Sequence, residues 1–86
     1  MASRETSRVA NESDLARAVR KSLDIYFRDL DGERPAPLYD MVIANVEMPL
    51  IQDILERGEG NQTQAAELLG MNRNTLRKKM KLYGLL

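Results

Sequence analysis

The sequence predicts an all-α protein: two long helices that build the core, followed by a C-terminal helix-turn-helix. Three observations predict it. Apolar residues recur at helical spacing in four stretches. Each stretch is bounded by a capping residue, a glycine or a proline. No run alternates apolar and polar residues as a half-buried strand would, and no internal repeat or low-complexity tract interrupts the pattern.

Residues 1–12 are rich in Ser, Arg and Glu, with too little apolar surface to offset the cost of ordering, so they are expected to form a disordered leader. Ser13 is placed to cap a first long helix from Asp14 to about Leu30, and Asp14 favours the first turn electrostatically. Its apolar residues Leu15, Val19, Leu23, Tyr26, Phe27 and Leu30 share one broad face; Arg17, Arg20, Lys21, Asp24 and Arg28 occupy the other. The aromatic pair Tyr26 and Phe27 reads as core.

Asp31 and Gly32 stop that helix. The GERPAP segment follows, and its prolines cannot sit inside a helix. Pro37 suits the first position of a second long helix that runs to about Arg57. That helix is apolar most of the way round: Leu38, Tyr39, Met41, Val42, Ile43, Val46, Met48, Leu50, Ile51, Ile54 and Leu55 leave only a narrow polar stripe around Asp40 and Glu47. A chain of 86 residues can hardly cover such a helix alone, so burial against a second copy is expected. Leu23, Tyr26 and Phe27, with Leu38, Val42, Val46, Leu50 and Ile54, are the expected dimer core. Pro49 removes a backbone donor within the pattern and should kink the helix.

Gly58-Glu59-Gly60 is a short break. Asn61 then caps a short helix containing Ala65, Ala66, Leu68 and Leu69, and Gln64 is placed to complete a capping box. Gly70 occupies a left-handed C-terminal position, Met71 bridges the turn, and Asn72 caps a last helix from Arg73 to about Leu82. At about 100° per residue, Leu76, Met80 and Tyr83 fall on one face of it. Asn74, Arg77, Lys78 and Lys81 lie across the opposite face, with Thr75 on its flank. Two helices, a glycine turn and a basic outer face form the helix-turn-helix pattern, whose second helix enters a DNA major groove. The plainer reading is a surface helix made soluble by lysines. The chain thus divides into residues 1–12 as leader, 13–57 as dimerisation helices and 58–86 as the DNA-binding segment, within one compact domain overall.

The charge distribution agrees. Residues 1–60 carry eight Lys/Arg against twelve Asp/Glu, a net of −4, and residues 61–86 carry five against one, a net of +4. Such asymmetry is expected where one end meets phosphate. With no cysteine and no histidine, disulfides, thiolate metal sites and the commonest general base are excluded, and neither a cofactor nor an enzymatic activity is expected. No run of about 18 apolar residues marks a membrane span and no signal core is present, so a cytoplasmic protein is expected.

The stretch GNQTQAAELLGMNRNTLRKKMKLYG closely resembles the DNA-binding segment of the Fis family, the bacterial nucleoid-associated and inversion-stimulating proteins. It is also similar to the C-terminal domains of nitrogen-regulator-type activators. The likeness to Fis extends upstream through LYDMVIANVEMPLIQDIL and KSLDIYFRDLDG, covering roughly residues 15–86. Because the chain opens with Met and closes just after Tyr83-Gly84, a whole family member is expected instead of a fragment of an activator.

The resemblance implies a homodimer with an intertwined four-helix core. It implies two recognition helices closer than one DNA turn, and hence a bent duplex read largely by shape. On this likeness Asn72 and Arg73 are the base-reaching pair, with Arg73 on guanine. Asn61 and Thr63 match phosphate contacts at a helix N-terminus. Thr75, Arg77, Lys78 and Lys79 match further backbone contacts, and Lys81 reaches flanking phosphate. With Asn74 these are the candidate DNA-binding residues. The partners implied are double-stranded DNA, a second copy and RNA polymerase, in the nucleoid.

Departures from the family pattern are also visible. Glu59 and Gln64 replace arginine, and Leu82 replaces lysine, which predicts weaker and more salt-sensitive binding. MASRETSRVANE lacks the alternating pattern of the arm that touches the recombinase, which makes that contact doubtful here. Two alternative readings are a stand-alone dimerising, DNA-tethering relative of the activator domains and a helical protein-interaction adaptor.

Overall fold

The computed structural model describes residues 12–86, which form four helices: α1 (Asp14–Leu30), α2 (Leu38–Arg57), α3 (Gln62–Leu69) and α4 (Arg73–Leu82). No strand occurs among the described residues, and no described helix is long and apolar enough to cross a membrane. The packing separates into two units, divided between Leu38 and Tyr39. Of the expected leader only Glu12 is described; residues 1–11 lie outside the described residues.

In the first unit Ser13 caps α1 as expected, its hydroxyl accepting from the Ala16 amide at 3.1 Å. The Glu12 carboxylate accepts from Arg20 Nε at 2.6 Å, and its carbonyl accepts from Arg17 at 2.6 Å. Asp31 adopts the left-handed conformation (φ 52°) that ends the helix. Tyr26 packs edge-to-face on Phe27 at 5.5 Å, and its hydroxyl accepts from the Ala36 amide at 2.8 Å, drawing the proline segment back to the helix. No residue of α1 is buried, and Phe27 remains 48% exposed on its apolar face.

The helix α2, which belongs to the second unit from Tyr39 on, begins at Leu38, one residue after the proline expected to open it, and continues as one helix through Pro49. Its apolar side chains are spread around the helix, so Tyr39, Ile43, Met48 and Leu50 stay exposed while Ile51 is fully buried. Ile51 joins Ala65, Ala66, Leu76 and Met80 in the core, with Ile54, Leu55, Leu69, Met71, Tyr83 and Leu85 packed around it. The two alanines let α3 sit close under α4. Because Ile51, Ile54 and Leu55 share this core, the expected boundary at residues 57/58 marks a turn in the chain and not a division of the packing.

Three helix ends close in the same way. After α2, α3 and α4 the amides of Gly60, Met71 and Leu85 bond back to the carbonyls of Leu55, Ala66 and Met80 at 2.9, 3.0 and 2.8 Å. The residue before each closing amide is left-handed: Glu59 (φ 54°), Gly70 (φ 75°) and Gly84 (φ 70°). Glu59 is the exception among them, a side-chain-bearing residue in a conformation that favours glycine.

Candidate nucleic-acid interface

Asparagine caps open both helices, Asn61 at the start of α3 and Asn72 in the turn between α3 and α4. Asn61 Oδ1 accepts from the Gln64 amide at 3.0 Å, and Asn72 Oδ1 accepts from the Thr75 amide at 2.8 Å. One half of the expected capping box is replaced: the Asn61 amide donates to the Gly58 carbonyl at 3.0 Å instead of to Gln64. The turn out of α2 already supplies the acceptor that Gln64 would have offered. Asn72 likewise spends its side-chain oxygen on the cap, which leaves its Nδ2 as the group able to meet a base.

Buried Leu76 and Met80 fix which side of α4 faces inward. Asn72, Arg73, Asn74, Lys78 and Lys81 are exposed, as are Asn61 and Thr63 at the start of α3. Thr75 is half-buried at the flank. These positions, at the N-termini of α3 and α4 and along the outer side of α4, can offer a polyanion amide donors, hydroxyls and cations.

Two of the expected contacts are engaged within the protein. Arg77 is half-buried, its Nη1 donating to Gln62 Oε1 at 2.9 Å across the two helices. Four further donors on its guanidinium are not used in that bond. Lys79 lies on the other edge of α4, about 160° round from Arg77 at about 100° per residue. Its ammonium is 2.8 Å from Glu47 Oε2, and Tyr83 Oη donates to Glu47 Oε1 at 2.6 Å. The bonds from Lys79 and then Tyr83 hold the Glu47 carboxyl below its ordinary value of 4.5, and Glu47 raises the Tyr83 phenol above 10.0. Lys79 therefore stands apart from the outer basic face.

Sequence reasoning missed Glu47 and Gln62. The signals were present: Glu47 is four residues before the core residue Ile51, and Lys79 four before Tyr83, so each pair shares a helix face. Of the expected dimer core, Leu23, Tyr26, Leu38, Val42, Val46 and Ile54 are half-buried within the chain, and Phe27 and Leu50 are each 48% exposed.

The profile of the family described as "Bacterial regulatory protein, Fis family" matches residues 42–83. That span contains α3, α4 and most of α2. A Fis-like DNA-binding protein of Ralstonia nicotianae is 50% identical over 76 residues, covering 88% of this chain and 99% of the relative. A Fis-like DNA-binding protein of Neisseria meningitidis is 48% identical over 73 residues, 85% and 92% of the two chains. The DNA-binding protein Fis of Actinobacillus succinogenes is 46% identical over 79 residues, 92% and 79% of the two chains. With caps, turn and helices arranged as described, and with half of the aligned residues identical along almost the whole of one relative, this chain belongs to the Fis family.

Proposed function

We propose that this protein is a homodimeric, DNA-binding and DNA-bending transcriptional regulator of the bacterial nucleoid. The observation that carries the reading is α4 itself. One side is anchored in the core by Leu76 and Met80, while Arg73, Asn74, Lys78 and Lys81 stand exposed on the remainder. Relatives named as DNA-binding proteins are 50% and 46% identical to this chain over 88% and 92% of its length.

In this reading Arg73 and Asn72 Nδ2 reach base edges, and Asn61, Thr63, Thr75, Arg77, Lys78 and Lys81 grip phosphates. The apolar faces left open on α1 and α2 are covered by a second copy, which contributes the second recognition helix. Preference among sites then comes chiefly from the cost of bending a given duplex. The protein works in the cytoplasm on chromosomal DNA, and RNA polymerase is the partner through which a bound dimer would act at promoters.

Fluorescence anisotropy with two labelled duplexes across a salt series tests this. Both carry G and C about one and a half turns apart; one has an A/T-rich centre and the other a G/C-rich centre. Salt-steep binding that prefers the A/T centre, with two subunits per duplex, is the expected result. No binding to either at low salt overturns it and leaves the adaptor reading, which the open apolar faces alone would support.

A further inference from the structure

We propose that Glu47 is a positioning residue: by gripping Lys79 and Tyr83 it locks α4 against α2 and withdraws Lys79 from the DNA-binding face. The proposal rests on the DNA-binding reading above for its consequence, and on geometry for its mechanism.

The two helices meet through a small apolar patch, since Ile51 is the buried residue that α2 contributes. One turn earlier on the same face, Glu47 uses both carboxylate oxygens, Oε2 on Lys79 Nζ at 2.8 Å and Oε1 on Tyr83 Oη at 2.6 Å. Lys79 and Tyr83 are themselves one turn apart on α4, so the two bonds form a two-point clamp. A single bond would let α4 swivel about Ile51; two, on adjacent turns, do not. All three groups are partly shielded from water, the Glu47 side chain being 20% exposed and that of Lys79 31%, which strengthens the clamp relative to a surface pair.

In a dimer whose core is built from α2, the joint between α2 and α4 determines how far apart the two recognition helices stand. The clamp therefore fixes how strongly a duplex must bend to meet both. Loosening it should relax the requirement and, with it, the discrimination between flexible and stiff centres. Lys79, occupied by Glu47, adds nothing to the count of neutralised phosphates.

The test compares the full-length wild type with Glu47→Gln, Tyr83→Phe and Lys79→Met on the two duplexes above, across salt, with circular dichroism to check helix content. The expected result is a loss of about fivefold in the preference for the A/T centre for Glu47→Gln and Lys79→Met, with the salt slope of Lys79→Met unchanged. A slope lower by about one in Lys79→Met would make Lys79 a phosphate contact and overturn the proposal. So would tighter binding of Glu47→Gln to both duplexes with unchanged preference, which would make Glu47 a mere competitor for phosphate. Amide exchange without DNA supplies an independent reading. Faster exchange in the last turn of α4 of Glu47→Gln, with α3 unchanged, is expected, and unchanged α4 overturns the proposal whether or not the wild type binds DNA. A wild type that binds neither duplex sinks the DNA-binding reading alone.

Discussion

Arg77 Nη1 donates to Gln62 Oε1 at 2.9 Å, joining the middle of α4 to the first residue of α3. The bond divides the guanidinium between a structural and a binding task. Gln62→Leu removes the acceptor and leaves the charge. It should cost about 0.5–1.5 kcal/mol of stability in urea denaturation while leaving the salt slope of DNA binding unchanged. Arg77→Met should cost a similar amount and also lower that slope by about one. Equal slopes in both variants would remove Arg77 from the phosphate contacts.

The Glu47 cluster predicts a pH window. The Glu47 carboxyl is held below 4.5 by Lys79 and Tyr83, so its stabilisation is present above that value and fades as pH falls through the lower folded value. The Tyr83 phenol is held above 10.0 by Glu47, so its share is present below that value and lost as pH rises through the folded one. Thermal melts should show wild type above Glu47→Gln across the intervening range, by about 1–2 kcal/mol at neutral pH. The gap should close as the solution is acidified below 4.5. A constant gap would mean the charge on Glu47 is irrelevant.

Leu76 is fully buried in the second unit. Leu76→Ala should destabilise by about 2–5 kcal/mol, the usual cost of an uncollapsed cavity. In a core this small that is enough to unfold much of the population at 37 °C, and DNA binding should fall with it. Far-UV circular dichroism against urea measures the loss.

Glu59 holds a left-handed backbone next to the proposed phosphate-facing end of α3. Glu59→Gly should raise stability by about 0.5–1 kcal/mol, since glycine adopts that conformation without a steric penalty. Glu59→Arg combined with Gln64→Arg should instead tighten DNA binding and, contrary to the expectation that losing these arginines sharpens salt sensitivity, steepen its salt slope by about two, because each added phosphate contact releases a counterion. No gain in affinity would detach both positions from the DNA path.

The bare faces of α1 and α2 predict concentration-dependent stability. Leu50→Glu, at an exposed apolar position of α2, should leave a single chain by sedimentation and abolish cooperative binding of two subunits per duplex. A wild type that sediments as a single chain at micromolar concentration would remove the second copy from the reading.

Much of this fold was legible because its determinants are local. Ser13, Asn61 and Asn72 announce their helices by hydrogen bonds that reach only three residues, and Gly70 and Gly84 announce where helices stop. The periodicity of Leu76, Met80 and Tyr83 set the inner side of α4 correctly. What the sequence hid lies at long separation: Glu47 meets Lys79 and Tyr83 at 32 and 36 residues, and Arg77 meets Gln62 at 15. A helical wheel places Lys79 at an edge, where outward and inward are equally open to a flexible side chain, and only the neighbouring helix decides. Asn61 misled in a smaller way. Its amide had two possible acceptors, and the nearer turn supplied one.

The closure after α4 bears on how the chain can be handled. The Leu85 amide reaches back to Met80, and its side chain packs on the core, so the residue after Gly84 belongs to the folded unit. A fluorophore or affinity tag attached directly at Leu85 would strain that closure.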